Sequence, residues 1–373
     1  MDVVHVISSF QLGGAEKVAI DIAKFSKKNN ISCSIASVFG RDDAFSESLK
    51  SDLNESGITW FELSSKKSVF SFAQASFSLA LFIKRNNIRI VHCHSDIPDF
   101  IVSLAIRILK ILFRFDIKVV RTIHNTELWS KRRFIPKVVE SGFVDDHVVL
   151  ISKAVESSYL ELRSRCGYEP SKNRHLIYNG VNFQDDVDFS YLSKVNSLSL
   201  LFVGRFVYQK GVDVFIKALK ELSCSLDRDS NVNVDFYGSG EDVDIILSAK
   251  LKNINLKVFP PDKNIVSKFK AYDFIVMPSR FEGLPLVAIE AASCKIPIIV
   301  ADSPGLNETI PSNWPLIFDT DNFFQLSNLL KDILDGRFDK SLLGLELFEF
   351  SKSKFGVQKM IDSYCSIYES LLE

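Results

Sequence analysis

The sequence predicts an α/β protein built as two doubly wound, Rossmann-like halves, and three observations carry that expectation. Short runs of Val and Ile alternate with amphipathic stretches of helical period. The alternation stops in a polar, acidic passage and then restarts. The length, 373 residues, exceeds what one hydrophobic core usually serves.

In order, Val3–Ile7 reads as a buried strand, Ala15–Ser26 as a helix and Ser32–Val38 as a strand. Ile58–Phe61, Ile90–His92, Val119–Ile123 and His147–Ile151 continue the first sheet, with helical stretches between them. The passage from Asn179 through Gln184, Asp185 and Asp186 to about Asn196 has linker composition. Beyond it come a strand at Leu198–Val203, a helix at Val212–Leu222 and strands at Asn233–Tyr237 and Phe274–Met277. A helix at Leu286–Ser293 and a strand at Ile298–Val300 follow. Val357–Leu372 is an amphipathic helix, with Met360, Ile361, Tyr364, Ile367 and Leu371 at helical spacing. Ligands of open α/β sheets bind beyond the carboxyl ends of the strands, so two such halves are expected to face each other across a cleft. The boundaries fall at 1–185 and 186–352, and the remaining 353–373 suits core or interdomain packing.

Composition narrows the function. The hydrophobic share of 46 % and charged share of 24 % are those of a globular protein, and a net charge of −1 argues against a nucleic-acid partner. Residues 1–195 carry net +4 and the remainder net −5, a basic bias that suits either an anionic surface or plain solvation. Six cysteines lie far apart without a CxxC pair, which reads as reduced thiols in a cytoplasmic protein. The N-terminus lacks the pattern of a signal peptide. The apolar segment from Ile101 to Phe115 is interrupted by Arg107, Lys110 and Arg114 and is too short to span a bilayer.

The chemistry concentrates where strands give way to helices. Residues 279–285, Ser-Arg-Phe-Glu-Gly-Leu-Pro, precede a helix that carries Glu290, and Pro285 suits its first position. The backbone of Gly283 and Leu284 can bind sugar oxygens or a phosphate, while Glu282 outside the helix and Glu290 on it can reach a hexose and a ribose diol. Two exposed surface charges are the bland alternative, less apt for Glu290 within LVAIEAASC. Gly204 and Arg205 end another strand and lead to Lys210; a guanidinium and an ammonium there can neutralise a diphosphate without a metal. A surface turn with two basic residues has the same pattern. Gly238 and Gly240 flank Ser239 in a third strand-to-helix turn, equally readable as a ligand approach or a tight turn.

In the first half, Gly13 and Gly14 open the first helix without the GxGxxG spacing, so a loop over phosphates and sugar fits better than a dinucleotide fingerprint. His124 stands at a strand end, where an imidazole can donate to a sugar hydroxyl or phosphate, or can serve the loop alone. His92 and His94 share a strand face, but no third ligand has suggestive spacing, so no metal is expected. The pairs Asp227/Asp229, Asp242/Asp244 and Asp319/Asp321 read as solvated or capping residues.

Together these residues resemble the family 4 retaining glycosyltransferases of the GT-B fold, of bacterial surface-polysaccharide type, over nearly the whole chain. GGAE at 13–16, RTIHN around His124, IYNGVN at 177–182, VGRF with KG at 203–211, YGSGED at 237–242 and FEGLPLVAIEA at 281–291 occur in the family's order. The pair Glu282 and Glu290 is its most specific element. The resemblance implies that Arg205 and Lys210 bind the diphosphate of a nucleotide-sugar donor, Glu290 the ribose, and Glu282 with Gly283 and Leu284 the transferred sugar. Gly13 and Gly14 would approach the donor, His124 would stand at the reaction centre, and the final helix, 353–373, would pack back on the first domain. No cofactor is implied, the nucleoside diphosphate-sugar being a substrate.

The expected partners are that donor and a sugar or lipid-linked acceptor. Ile101–Phe115 and Lys131, Arg132 and Arg133 suit an anionic bilayer, placing the protein at the inner face of the membrane, or equally a half-buried helix with solvated basic ends. Two other readings remain at this point: a nucleotide-sugar epimerase, which needs no acceptor, and a non-catalytic binding protein, which need not keep every reactive-centre group.

Overall fold

The computed structural model describes residues 1–11, 13–64, 69–129, 134–143, 145–184, 197–226 and 231–373. It divides into two compact units, Met1–Asn179 with Gln358–Glu373, and Gly180–Val357.

The first unit holds seven strands, β1 (Val3–Ile7), β2 (Cys33–Ser37), β3 (Thr59–Glu62), β4 (Ile90–His94), β5 (Lys118–Ile123), β6 (His147–Leu150) and β7 (Asn173–Leu176). They form one parallel sheet in the order β3-β2-β1-β4-β5-β6-β7. The strand order therefore reverses between β1 and β4, the position at which open α/β sheets admit ligands. Because side chains alternate across a strand, the two faces differ sharply. Val4 and Val6 of β1 and Val91 and Cys93 of β4 share a cluster with Ala75, Leu79, Ile101 and Ala105 from the helices Val69–Arg85 and Asp96–Ile108. On the opposite face His5 pairs in register with His92, and His94 with Thr122. The helix Val357–Leu372 covers this polar face, where Tyr368 and Tyr364 reach His92 and Thr122.

Beneath β5 lies a buried charge cluster. Arg121, 1 % exposed, gives its guanidinium to Asp99 at 2.8 Å, to Glu140 at 2.8 and 3.1 Å and to Asp146 at 3.2 Å. Arg163 adds a second cation on Glu140 at 2.9 Å. A guanidinium suits this place because its planar fork meets several carboxylates at once.

The second unit holds β8 (Ser197–Val203), β9 (Asn231–Tyr237), β10 (Ile254–Phe259), β11 (Phe274–Met277), β12 (Ile298–Asp302) and β13 (Ile317–Asp319). They pair in parallel in the order β10-β9-β8-β11-β12-β13, with the reversal between β8 and β11. Leu200, Leu201, Ile275, Val276, Ile299 and Val300 centre its core.

Two doubly wound sheets agree with the expected fold class. The sequence reading missed β7, β10 and β13. β7 (NRHL) lies at a sheet edge with mostly accessible, polar side chains and β13 has three residues, so neither shows the buried Val/Ile signature, whereas β10 (INLKVF), also at an edge, does carry the apolar–polar alternation of a strand. The segment expected as one helix from Ile101 instead continues the helix Asp96–Ile108 through a single π-type turn, Leu109–Phe113, and stops at Arg114 in a left-handed conformation. The linker stretch 185–196, the basic triplet 131–133 and the pair Asp227/Asp229 lie outside the described residues.

Candidate active site

In the second unit the predicted residues gather at the reversal of strand order. β8 ends at Val203; Gly204 and Arg205 follow, then a short 3-10 turn at Tyr208–Lys210 and the helix Val212–Ser225. β11 ends at Met277 and the loop 278–285 leads to the helix Leu286–Ser293. The two turns meet directly: Lys210 Nζ donates to Glu282 Oε1 at 2.6 Å, and Glu282 is buried. A burial of that kind needs a paired cation, which Lys210 supplies. Gln209, overlooked in the sequence, ties the turns a second time: its amide accepts from Arg205 at 3.2 Å and donates to the Phe281 carbonyl at 3.0 Å.

Arg280 explains why the loop holds its shape. Its guanidinium forks onto Asp213 at 2.9 and 2.9 Å, pairs with Asp321 at 2.7 Å and lies 4.0 Å above the Tyr208 ring. Asp213 feels burial pushing its pKa up, but the bonds and charge of Arg280 outweigh it and hold the carboxylate below its usual range. Asp321 is thus engaged rather than merely solvated. The Glu282 N–H donates to the Pro304 carbonyl at 2.9 Å, which fixes the backbone that leads into Gly283 and Leu284. Pro285 stands one position earlier than expected, in an extended conformation at the cap, and the helix begins at Leu286. Glu290 lies on that helix and is buried.

Gly238 and Gly240 serve an approach the sequence did not reveal. A Cβ on Gly238 would stand 1.9 Å from the Gly204 carbonyl oxygen, and one on Gly240 2.1 Å from that of Phe206. Their missing side chains admit the backbone of 204–206, which the Phe206 N–H bonds to the Ser239 carbonyl at 2.8 Å. Arg205 remains exposed. Two surface hollows of this unit, about 340 Å³ beside Asp319 and about 600 Å³ beside Leu247, include none of these groups.

In the first unit, Gly13 caps the helix Gly14–Lys28 in an extended conformation. A Cβ there would meet Glu16 Oε2 at 2.2 Å, so the glycine makes room for a buried carboxylate, which also accepts from Gln11 at 3.2 Å. Burial raises the Glu16 pKa. Leu12 of this turn lies outside the described residues, and Gly14 is exposed. His124 is buried at the end of β5, bonded through Nε2 to His94 Nδ1 at 3.2 Å, and burial pushes its pKa down to about 3. The sequence showed His92 and His94 as a pair; the third imidazole is His5, brought opposite His92 by the register of β1 on β4. One ring nitrogen from each of His5, His92 and His94 lies within 4.8 Å of the other two. Only the parallel pairing of the two strands, invisible in spacing along either, would have shown this.

Comparison with known proteins follows the same division. A family profile described as "Glycosyltransferase Family 4" matches residues 12–185, and one described as "Glycosyl transferases group 1" matches 183–342. A 41.2 kDa protein in the cps region of Klebsiella pneumoniae is 26 % identical over 307 residues, covering 77 % of this chain and 80 % of that one. The capsular polysaccharide biosynthesis glycosyltransferase CapH of Staphylococcus aureus is 25 % identical over 296 residues, covering 78 % of each. The crystal structure of Anabaena HepE in complex with UDP-glucose superposes with a TM-score of 0.78 at 18 % identity, covering 99 % of this chain and all of the other.

Proposed function

Because this chain belongs to the family 4 glycosyltransferases, with the GT-B fold, we propose that it moves a sugar from a nucleoside diphosphate-sugar to an acceptor hydroxyl with the anomeric configuration retained and without a metal. The observation that carries this reading is the 2.6 Å pairing of Lys210 with Glu282 at the strand-order reversal of the second sheet.

The step balances as follows. The bond between the sugar's anomeric carbon and the leaving phosphate oxygen breaks, a bond to the acceptor oxygen forms on the same face, and the acceptor's proton passes to the departing phosphate. Charge develops on that phosphate, where Arg205 and Lys210 stand ready to stabilise it. When a donor enters, Lys210 turns its ammonium to the diphosphate and Glu282 is released to accept hydrogen bonds from the sugar. Gly283 and Leu284 offer backbone groups to the same sugar, Glu290 takes the ribose diol, and Gly204, Gly238 and Gly240 line the donor's path. From the first unit, Gly13, Gly14 and His124 are the groups assigned to this reaction. No cofactor is required.

The names of the relatives support assembly of a surface polysaccharide; the acceptor in this reading is a sugar or a lipid-linked sugar. Among the described residues no helix is long and apolar enough to cross a membrane. The exposed Ile111 and Leu112 beside Arg107, Lys110 and Arg114 support a peripheral contact with the inner, anionic face. Co-sedimentation with anionic vesicles at low salt should capture the protein and release it at high salt; recovery in the supernatant at both salts would count against the contact.

The reading as a whole is tested by heating the full chain with UDP-, GDP- and ADP-sugars. One donor class should raise the melting midpoint by mass action, and the same donor should yield product only with an acceptor present. Conversion of the donor to an epimeric sugar without acceptor would make the protein an epimerase instead.

A further inference from the structure

Behind His124 stands a row of imidazoles to which the proposed transfer step assigns no role. His124 Nε2 lies 3.2 Å from His94 Nδ1, and His94 Nε2 lies 3.1 Å from His5 Nδ1. His5 Nε2, at the inner end, is buried without a hydrogen-bond partner among the described residues. A second row runs alongside: His92 Nδ1 meets the Tyr368 hydroxyl at 2.5 Å and His92 Nε2 meets Thr122 Oγ1 at 2.7 Å, which in turn lies 3.0 Å from the Tyr364 hydroxyl. Both nitrogens of His92 are thus engaged outside the first row.

Burial holds His5 and His124 near 3 and depresses His92 and His94 well below the usual imidazole range, so all four rings are neutral at neutral pH. A neutral imidazole carries one N–H and one lone pair. In a row of nitrogen-to-nitrogen bonds every ring must then point its proton the same way. In one arrangement His5 donates to His94 and His94 to His124, which leaves a bare lone pair on His5 Nε2 and the proton of His124 on Nδ1. In the other, all protons reverse and a buried N–H on His5 Nε2 goes unanswered. An orphaned buried donor is rarer than an under-used acceptor, so the first arrangement wins.

We infer that the row His5–His94–His124 sets the tautomer of His124, fixing Nδ1–H as a hydrogen-bond donor for an oxygen of the bound substrate. His5 and His94 are positioning residues that act through His124. The oxygen's identity, on the sugar or phosphate, rests on the function proposed above; the tautomer does not.

The test uses the full chain labelled with 15N-histidine and long-range proton–nitrogen correlation spectra, with His124 assigned by His124→Gln. His124 should show a protonated Nδ1 and a bare Nε2. His94→Asn, whose amide can donate where Nδ1 does, should keep that pattern, and His94→Phe should lose it. In the proposed transfer reaction His94→Phe should lower kcat about tenfold, the worth of one hydrogen bond, with donor KM little changed. His94→Asn should restore most of it. A protonated Nε2 on His124 in the unaltered protein overturns the inference, as does an identical spectrum from both variants. One equivalent of added Zn2+ that shifts His5, His92 and His94 together would make the cluster a metal site and overturn it too. Should His94→Phe fail to fold, the unaltered protein and His94→Asn still decide. The spectra need no substrate, so failure here is distinguishable from failure of the transfer reading, which the Lys210 and Glu282 variants probe.

Discussion

Lys210→Ala is expected to lower kcat by roughly a hundredfold or more while the chain stays folded. An aimed donor that meets charge developing in the transition state is worth about 3 kcal/mol in turnover, and Lys210 is the ammonium held at the strand-order reversal. The same substitution strips a buried carboxylate of its cation, since Lys210 and Glu282 pair at 2.6 Å. That costs about 1–3 kcal/mol of stability, within the margin of an ordinary protein. Glu282→Ala removes the partner instead, and it too should lower turnover strongly, because it takes away the carboxylate proposed to accept from the sugar's hydroxyls. Two readouts separate the effects: steady-state transfer with the cognate donor, and the melting midpoint without it. Near-normal turnover in both variants would remove Lys210 and Glu282 from the mechanism.

Arg121→Leu should be the most damaging single change to the first unit, by about 3–5 kcal/mol, because it leaves Asp99, Glu140 and Asp146 buried around an apolar side chain. The calorimetric transition of that unit should fall by on the order of 10 °C. Arg121→Lys should recover only part of the loss, since one ammonium cannot reproduce the fork that meets three carboxylates. The sign of the pH dependence follows from Glu140. Burial pushes its pKa up, but the charge and bonds of Arg121 and Arg163 outweigh that and hold it below the usual value of 4.5. Its contribution is therefore present above about pH 4.5 and is lost as pH falls through its folded-state value. Asp99 moves the other way, raised by burial against the pull of Arg121, and opposes part of this slope. An Arg121→Leu transition within about 2 °C of the unaltered protein's would mean that the cluster contributes little.

How much of this was legible in the sequence differs between the two halves. In the second unit the strand-end turns at 204–211 and 279–285 were visible because buried strands of Leu, Ile and Val announce where they stop. What remained hidden were contacts between turns: Gln209 on Phe281, Arg280 on Asp213, and Gly238 beneath the Gly204 carbonyl. Such contacts depend on which strands lie side by side, and β8 and β11 neighbour each other across more than 70 residues of chain. The first unit hid more. The polar face of His5, His92 and His94 is closed by Tyr364 and Tyr368, some 270 residues away along the chain from His92. Alternation along β4 correctly put its two histidines on one face, but only the parallel register with β1 supplied the third. β7 escaped for a different reason: its residues are mostly polar and face water, so its pattern is that of a loop, whereas the edge strand β3 announced itself through Ile58, Trp60 and Phe61.

The most direct test of the central claim is a crystal structure of the full chain with an intact nucleoside diphosphate-sugar. The diphosphate should lie beside Arg205 and Lys210, with the Lys210–Glu282 pair opened and Glu282 bonded to hydroxyls of the sugar. A diphosphate bound elsewhere, or a sugar remote from a Glu282 still paired with Lys210, would contradict it.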